Sequence, residues 1–379
     1  MKIGFISFHS FANPGGVKSH ILGLSEAFNK LGVENKIIVP RRKFFENYGK
    51  DVIIMGTSIP LNAIGTQGDL VFNFNPFAIN KILEKEKFDV LHFHNFIIPS
   101  GWQILNKSKS VNILTFHANL DAMPAFKSMP YFTKLFTTDL NKKMDGIIGV
   151  AKLNLEAFKD LSLPKTVIPN GIDLQDFRPG YPKIKKFTSS KKINILFVGR
   201  IEERKGLIYL LEAYNFLKPK YNNIQLIVVG DGRLKQNCLN YARKNRLKDV
   251  HFEGAKSDSE LKKYFSTCDI YCSPAIFGES FGIVLLEGMA MGKPVCGFAN
   301  SGYKELLSET RAEQFLAEPK NSIELAEKLE LLIKDKSLRD EMGKWGLEHV
   351  KQYSWDKVAR RVLDFYQICS NAKKNIDIR

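Results

Sequence analysis

The chain has 379 residues, 44% apolar, 25% charged and 11% aromatic, a globular composition long enough for two domains. No apolar run approaches the ~18 residues that span a bilayer, and Met1–Phe11 is too short for a secretory leader. The net charge of +16 is shared by both halves and no nucleic-acid motif accompanies it, so the expected partners are nucleotide phosphates and anionic lipid headgroups.

Five cysteines (Cys238, Cys268, Cys272, Cys296, Cys369) lack metal-ligand spacing and are expected as reduced core residues of a cytoplasmic protein. Lys2–Phe8 reads as a strand that breaks at Asn13-Pro14-Gly15-Gly16, and apolar residues then recur at helical spacing through Val17, Ile21, Leu24, Phe28 and Leu31. Strand, Gly-Gly loop, helix is a geometry for approaching a phosphate or sugar, although a Gly pair is more often only a turn. Strands are expected at Asn35–Val39, Val52–Met55, Val90–Phe93, Val111–Phe116, Gly146–Val150 and Lys165–Ile168. Helices are expected at Pro76–Lys87, at 130–143 and from Lys152, whereas 56–75 shows no clear period. Seven strands alternating with helices make a Rossmann-like half.

His92 and His94 end one of those strands and His117 follows another, at the carboxyl ends where open α/β sheets place ligands. For His92 and His94, alternate residues of one strand, an ordinary strand role with one of the two buried is the stronger reading. His117, ahead of a flexible 118–124 stretch, is the better site residue. Phe177–Lys192, rich in Pro, Lys and Ser, is expected as a hinge.

The second half restarts with strand Ile193–Val198, then Gly199-Arg200-Ile201-Glu202-Glu203-Arg204-Lys205-Gly206 and a helix from Leu207. Arg200 and Lys205 bracket a strand-to-helix turn. As exposed bases they would mean little, but a guanidinium and an ammonium there suit a diphosphate. Gly230-Asp231-Gly232 is a turn, and Glu253 to Asp258, with Lys256, could receive a base or ribose. Ser273 to Pro294 is the most informative stretch: a strand enters a loop with Gly278, Glu279 and Gly282, and a helix follows. The amides of Phe281, Gly282 and Ile283 would face an anion, and Glu279 and Glu287 would flank it for sugar hydroxyls. Gly278-Glu279-Ser280-Phe281-Gly282 also matches a nucleophile elbow, but only His349 follows and the loop is too long, so a hydrolase is rejected. A last amphipathic helix begins at Trp355.

With GGVKSH, IPNGID, VGRIEERKG and GESFGIVLLEGMAMGKPV in this order, the chain resembles the GT-B glycosyltransferases of family 4. It is most similar to the phosphatidylinositol mannosyltransferases, which share the early Gly-Gly-Val-x-Ser-His and a strand like Phe88–His92. The resemblance implies an α/β, GT-B fold, two Rossmann-like domains facing a central cleft. Residues 1–176 would be the acceptor domain, 177–355 the donor domain, and helix 356–379 would pack back on the first. It implies a retaining hexosyltransferase moving a mannose-like sugar from a nucleoside-diphosphate sugar such as GDP-mannose to a glycolipid or phospholipid hydroxyl. His117 and Glu279 would stand at the reaction centre. The donor would meet Gly16, Arg200, Lys205, Gly230, Lys256, Phe281, Gly282, Ile283 and Glu287; the acceptor side would hold His9, Gly15, Lys18 and Asn95. Two segments depart from the inositol-lipid pattern: His94–Pro99 is less polar, and no Lys follows His117 in 118–123.

There is no Asp-x-Asp, hence no carboxylate pair for a metal on the diphosphate, and no cofactor is expected. Arg200, Lys205 and a helix N-terminus would offset the leaving group's charge. The expected location is the cytoplasm, with peripheral attachment to the inner face of the cell membrane as an added expectation. A polysaccharide or soluble-glycan acceptor, a sugar-nucleotide 2-epimerase and a non-enzymatic nucleotide-sugar binder are the competing readings.

Overall fold

The computed structural model describes residues 1–379 apart from 13–14, 44, 64–65, 73–75, 96–98, 118–137, 189–190 and 378–379. Two compact units result: Met1–Gly171 with Trp355–Arg379, and Ile172–Ser354.

The first unit carries strands β1 (Lys2–Ser7), β2 (Glu34–Arg41), β3 (Val52–Ala63), β4 (Thr66–Phe72), β5 (Val90–His94), β6 (Val111–Phe116), β7 (Gly146–Gly149) and β8 (Lys165–Val167). They form one sheet in the order β4-β3-β2-β1-β5-β6-β7-β8, parallel except where β3 meets β4. Every residue of β5 and β6 is buried, as expected when helices cover both faces of a parallel sheet. One face packs Phe5, Phe28 and Ile113 against Val358, Val362, Phe365 and Tyr366 of the last helix, Trp355–Asp377. Burying each such side chain is worth about 1.5–3 kcal/mol.

Sequence reading missed one element here. Residues 56–75, which show no clear period, hold most of an antiparallel pair, from Thr57↔Phe72 to Ala63↔Thr66. Thr, Ser, Asn and Gly dilute its alternation, and Pro60 argues against a strand. Yet the β2 ladder ends at Thr57, so at Pro60 β3 has a ladder only with β4 and its other side is open, where Pro is tolerated. The helix expected from Lys152 is two 3-10 turns, Lys152–Asn154 and Glu156–Phe158.

The second unit holds β9 (Ile193–Val198), β10 (Ile224–Val229), β11 (Val250–Gly254), β12 (Ile270–Ser273), β13 (Val295–Phe298) and β14 (Leu316–Ala317), all parallel, in the order β11-β10-β9-β12-β13-β14. The 177–192 stretch, expected as a hinge, is fastened to this unit. Ser266 Oγ donates to the Tyr181 carbonyl at 2.6 Å, Ile184 N donates to Thr267 Oγ1 at 2.9 Å, and Phe187 is buried.

In both sheets the chain runs outward on one side and then returns to start on the other. The reversal falls between β1 and β5 in the first unit and between β9 and β12 in the second. Carboxyl ends beside such reversals open a crevice, and ligands of α/β sheets collect there.

Candidate active site

In the second unit, β9 ends at Val198 and a 3-10 turn, Glu203–Lys205, follows. Gly206 then takes φ +66°, and a Cβ on it would lie 2.0 Å from the Pro274 carbonyl oxygen. Only glycine fits, and the absence of a side chain brings the Arg204–Lys205 turn against the loop leaving β12. Ile276 N donates to the Arg204 carbonyl at 2.8 Å across that contact.

The loop's acid lands on the turn's bases. Glu279 Oε1 accepts from Lys205 Nζ at 2.6 Å and from Arg204 Nη1 at 2.9 Å. Arg204 Nε also donates to Glu202 Oε1 at 2.6 Å, and Arg200 approaches the same oxygen at 3.4 Å. Burial alone would raise the Glu279 pKa, but Lys205 and then Arg204 outweigh it and hold the carboxylate below its usual range. Arg200, 53% exposed, joins this cluster only through Glu202. Sequence reading named Arg200 and Lys205 and passed over Arg204; the signal was its place beside Lys205.

Gly282, φ +96°, precedes the helix Ile283–Ala290, and a Cβ there would strike the Tyr303 ring at 2.7 Å. Phe281 is buried, Ile283 begins the helix, and Glu287 lies along it. Burial, reinforced by Asp258 and opposed by Lys205, pushes the Glu287 carboxyl up to about 7. Gly230 backs onto Gly199, where a Cβ would meet the carbonyl oxygen at 1.9 Å. Lys256 follows β11, its ammonium 5.9 Å from the Tyr264 ring centre. Glu253 is already paired with Lys186 and Tyr264.

The first unit gathers imidazoles instead. Helix α1 (Gly16–Lys30) starts from an extended, exposed Gly15, with open space around both Gly15 and Gly16. Lys18 turns back: its ammonium donates to the Phe11 carbonyl at 2.7 Å and stands over that ring. His9, after β1, meets Asn95 Nδ2 at 3.0 Å, and Asn95 Oδ1 accepts from the His117 amide at 3.3 Å. Asn95 sits at φ 67°, a left-handed conformation Asn tolerates better than most residues. His94 Nδ1 and His117 Nε2 are 3.1 Å apart. His20, on α1, is bonded through Nδ1 to Asn170 Oδ1 at 2.8 Å.

His9, Asn95 and His117 therefore come together, with His20 and His94 beside His117 and His92 next to His94. His92 is held by Tyr366 through Nδ1 at 2.6 Å and by Thr115 through Nε2 at 2.5 Å. Burial is the main cause lowering every one of these imidazoles: His20 to about 4, and His92, His94 and His117 well below the ordinary value, with neighbouring histidines adding to the effect. They are neutral at pH 7. One nitrogen each from His20, His94 and His117 lies within 4.8 Å of the other two, the one metal-type cluster found among the described residues.

Two parallel Rossmann-like sheets, each with chemistry at its reversal, define the GT-B class. Residues 14–176 match the family described as Glycosyltransferase Family 4 and residues 182–349 match glycosyl transferases group 1. The chain belongs to this glycosyltransferase family. It is 30% identical over 370 residues to an uncharacterized glycosyltransferase of Methanocaldococcus jannaschii, covering 94% of this chain and 95% of that one. It is 28% identical over 392 residues to the phosphatidyl-myo-inositol mannosyltransferase of Mycobacterium leprae, covering 100% of both. Among solved structures it is similar to sucrose-phosphate synthase from Thermosynechococcus elongatus, with TM-score 0.75, 19% identity and coverage of 98% and 99%. It is also similar to Anabaena HepE in complex with UDP, with TM-score 0.74, 18% identity and coverage of 97% and 100%.

Proposed function

We propose that this glycosyltransferase moves a mannose-like hexose, with retention, from a nucleoside-diphosphate sugar to a hydroxyl of a phosphatidylinositol-type headgroup. The observation that carries the donor half is the convergence of Arg204 and Lys205 on Glu279 at the β9/β12 reversal. Cations gathered there suit a diphosphate, and charge-assisted contacts to its oxygens would stabilise the leaving group as the glycosidic bond breaks. Glu279, held ionised, and Glu287 would take sugar and ribose hydroxyls, and the amides of Phe281, Gly282 and Ile283 would complete the anion seat. The full-length likeness to phosphatidyl-myo-inositol mannosyltransferases supports a phosphatidylinositol acceptor and a mannosyl group as the sugar moved; GDP as the nucleotide is part of the proposal. His117, neutral and partly exposed beside His9 and Asn95, is assigned to the reaction centre on the acceptor side. Retention would follow from attack on the face the leaving group departs from.

The test is radiolabelled GDP-mannose and UDP-glucose, each incubated with phosphatidylinositol vesicles, with a soluble glycan, and alone. Label passing from GDP-mannose to lipid, with an α linkage by NMR, is expected, and excess EDTA should not slow it. Label on the glycan would move the acceptor to a polysaccharide. Donor consumed without any acceptor would replace the transferase by a sugar-nucleotide isomerase. Turnover lost to EDTA and restored by manganese would overturn neutralisation by fixed cations.

A further inference from the structure

His92 and His94 occupy alternate positions of the same strand but are served very differently. His92 has both ring nitrogens bonded, to Tyr366 and Thr115, as a structural histidine should. His94 is equally buried, yet its Nε2 has no partner among the described residues and its Nδ1 faces only another imidazole. A neutral pair 3.1 Å apart can share only one proton between the facing nitrogens. A third ring closes the group. The His20 Nδ1 faces the amide oxygen of Asn170, so Nδ1 carries the hydrogen and Nε2 the lone pair. That ring stands edge-on to His117 and to Trp355, with centroids 4.6 Å and 5.3 Å away.

We propose that His20, His94 and His117 form a binding site for one borderline divalent transition ion, zinc being the type case, and that filling it inhibits the enzyme. Nitrogens bound at ~2.0–2.1 Å to a tetrahedral ion stand about 3.3 Å apart, so the His94–His117 pair already has the spacing of one edge. The remaining ligand atom lies within 4.8 Å, a gap that small ring movements close. Asn170 plays the orienting role usual for a ligating histidine, holding the far nitrogen and its tautomer. Three nitrogens and no carboxylate select zinc, cobalt or nickel over magnesium or calcium. The site therefore differs in kind from a metal clamped on a diphosphate. Of the three, His117 is the partly exposed member. Inhibition rests on the role proposed above for His117, whose lone pair the ion would take; binding does not.

The full-length protein, stripped with a chelator, is titrated with cobalt(II) and then with zinc, and ion content is measured per chain. One cobalt with visible bands of tetrahedral nitrogen coordination, displaced by zinc and unaffected by magnesium, is expected. Asn170→Ala should weaken zinc roughly 10–100-fold, as loss of an orienting partner does. His94→Gln and His117→Ala should each abolish the cobalt bands, with circular dichroism confirming the fold; His117→Ala is the safer variant because it empties a partly exposed position. Absent bands, or zinc bound equally well by the wild type and His117→Ala, would overturn the site. Zinc that binds without slowing transfer would overturn the inhibitory half. If no donor supports transfer at all, the functional reading fails while the cobalt spectrum still decides the site.

Discussion

Two carboxylates a few residues apart illustrate how surroundings divide one chemistry. Glu279 meets two cations and stays ionised; Glu287, half-buried and with less help, is pushed up to about 7. If Lys205 holds the donor, Lys205→Ala removes a charge-assisted contact of ~1.5–3 kcal/mol, or roughly ten- to hundred-fold in donor affinity. Arg204→Ala should behave similarly, and Arg200→Ala should weaken the donor while leaving Glu279 seated. Calorimetry with GDP and GDP-mannose checks this, and wild-type affinity in all three variants would remove the site. Glu287 makes a separate prediction about stability. Its folded pKa lies above the unfolded value of ~4.3, so between ~4.3 and about 7 the folded state binds more protons. Stability from this group is complete below ~4.3 and is lost as pH rises towards 7. Glu287→Gln removes the penalty, so its melting temperature should exceed wild type at pH 8, by roughly 2–4 °C per kcal/mol gained, and the gap should close near pH 4. An equal gap at both pH values would mean the carboxyl is solvated.

At the scale of elements, the last helix is what makes the histidine strands a finished core. Tyr366 lies buried among Phe28 and the sheet and closes its hydroxyl onto His92. Tyr366→Phe keeps the ring and strands the His92 nitrogen, which should cost about 1–3 kcal/mol. A drop of several degrees in melting temperature is expected with secondary structure intact. An unchanged melting point would show that water replaces the hydroxyl. Elsewhere the same helix packs so closely that a Cβ on Gly146 of β7 would lie 2.4 Å from Cys369 Sγ.

For the whole molecule, charge is the outstanding property. No helix among the described residues is long and apolar enough to cross a membrane, yet the net charge is +16. A basic surface gains about 1 kcal/mol per Lys or Arg beside an anionic bilayer, screened within a Debye length of ~10 Å at 0.1 M salt. Gly56–Phe77, the segment proposed to touch the membrane, holds Asp69 and no Lys or Arg, so the attraction would come from bases elsewhere and this segment would add apolar contact. Ile59 and Phe77 in it are 54% and 79% exposed, and 64–65 and 73–75 lie outside the described residues. The protein should sediment with anionic vesicles at low salt, leave them at high salt, and ignore neutral ones. Equal sedimentation with both kinds, or none, would favour a basic enzyme acting on a soluble glycan.

Legible from the residues were the two α/β halves, the strands at their centres and the Gly278–Glu287 loop and helix. These are local features: an apolar run of strand length, a glycine where the backbone turns back, a helix with no breaker. Local signals failed where pairing supplies the stability. The β3–β4 ladder has weak alternation because Thr, Ser, Asn and Gly interrupt it, and the 177–192 stretch reads as linker because its anchors, Ser266 and Thr267, lie some 80 residues away in sequence. Tertiary structure alone decided that Arg204 reaches Glu279 across 75 positions, and that His20 reaches Asn170 across 150. It also separated His92 from His94. Equivalent by spacing, one is satisfied by a tyrosine 274 residues distant and the other is left facing His117. Periodicity tells which face a side chain takes, but a hydrogen bond depends on what the rest of the fold brings to that face.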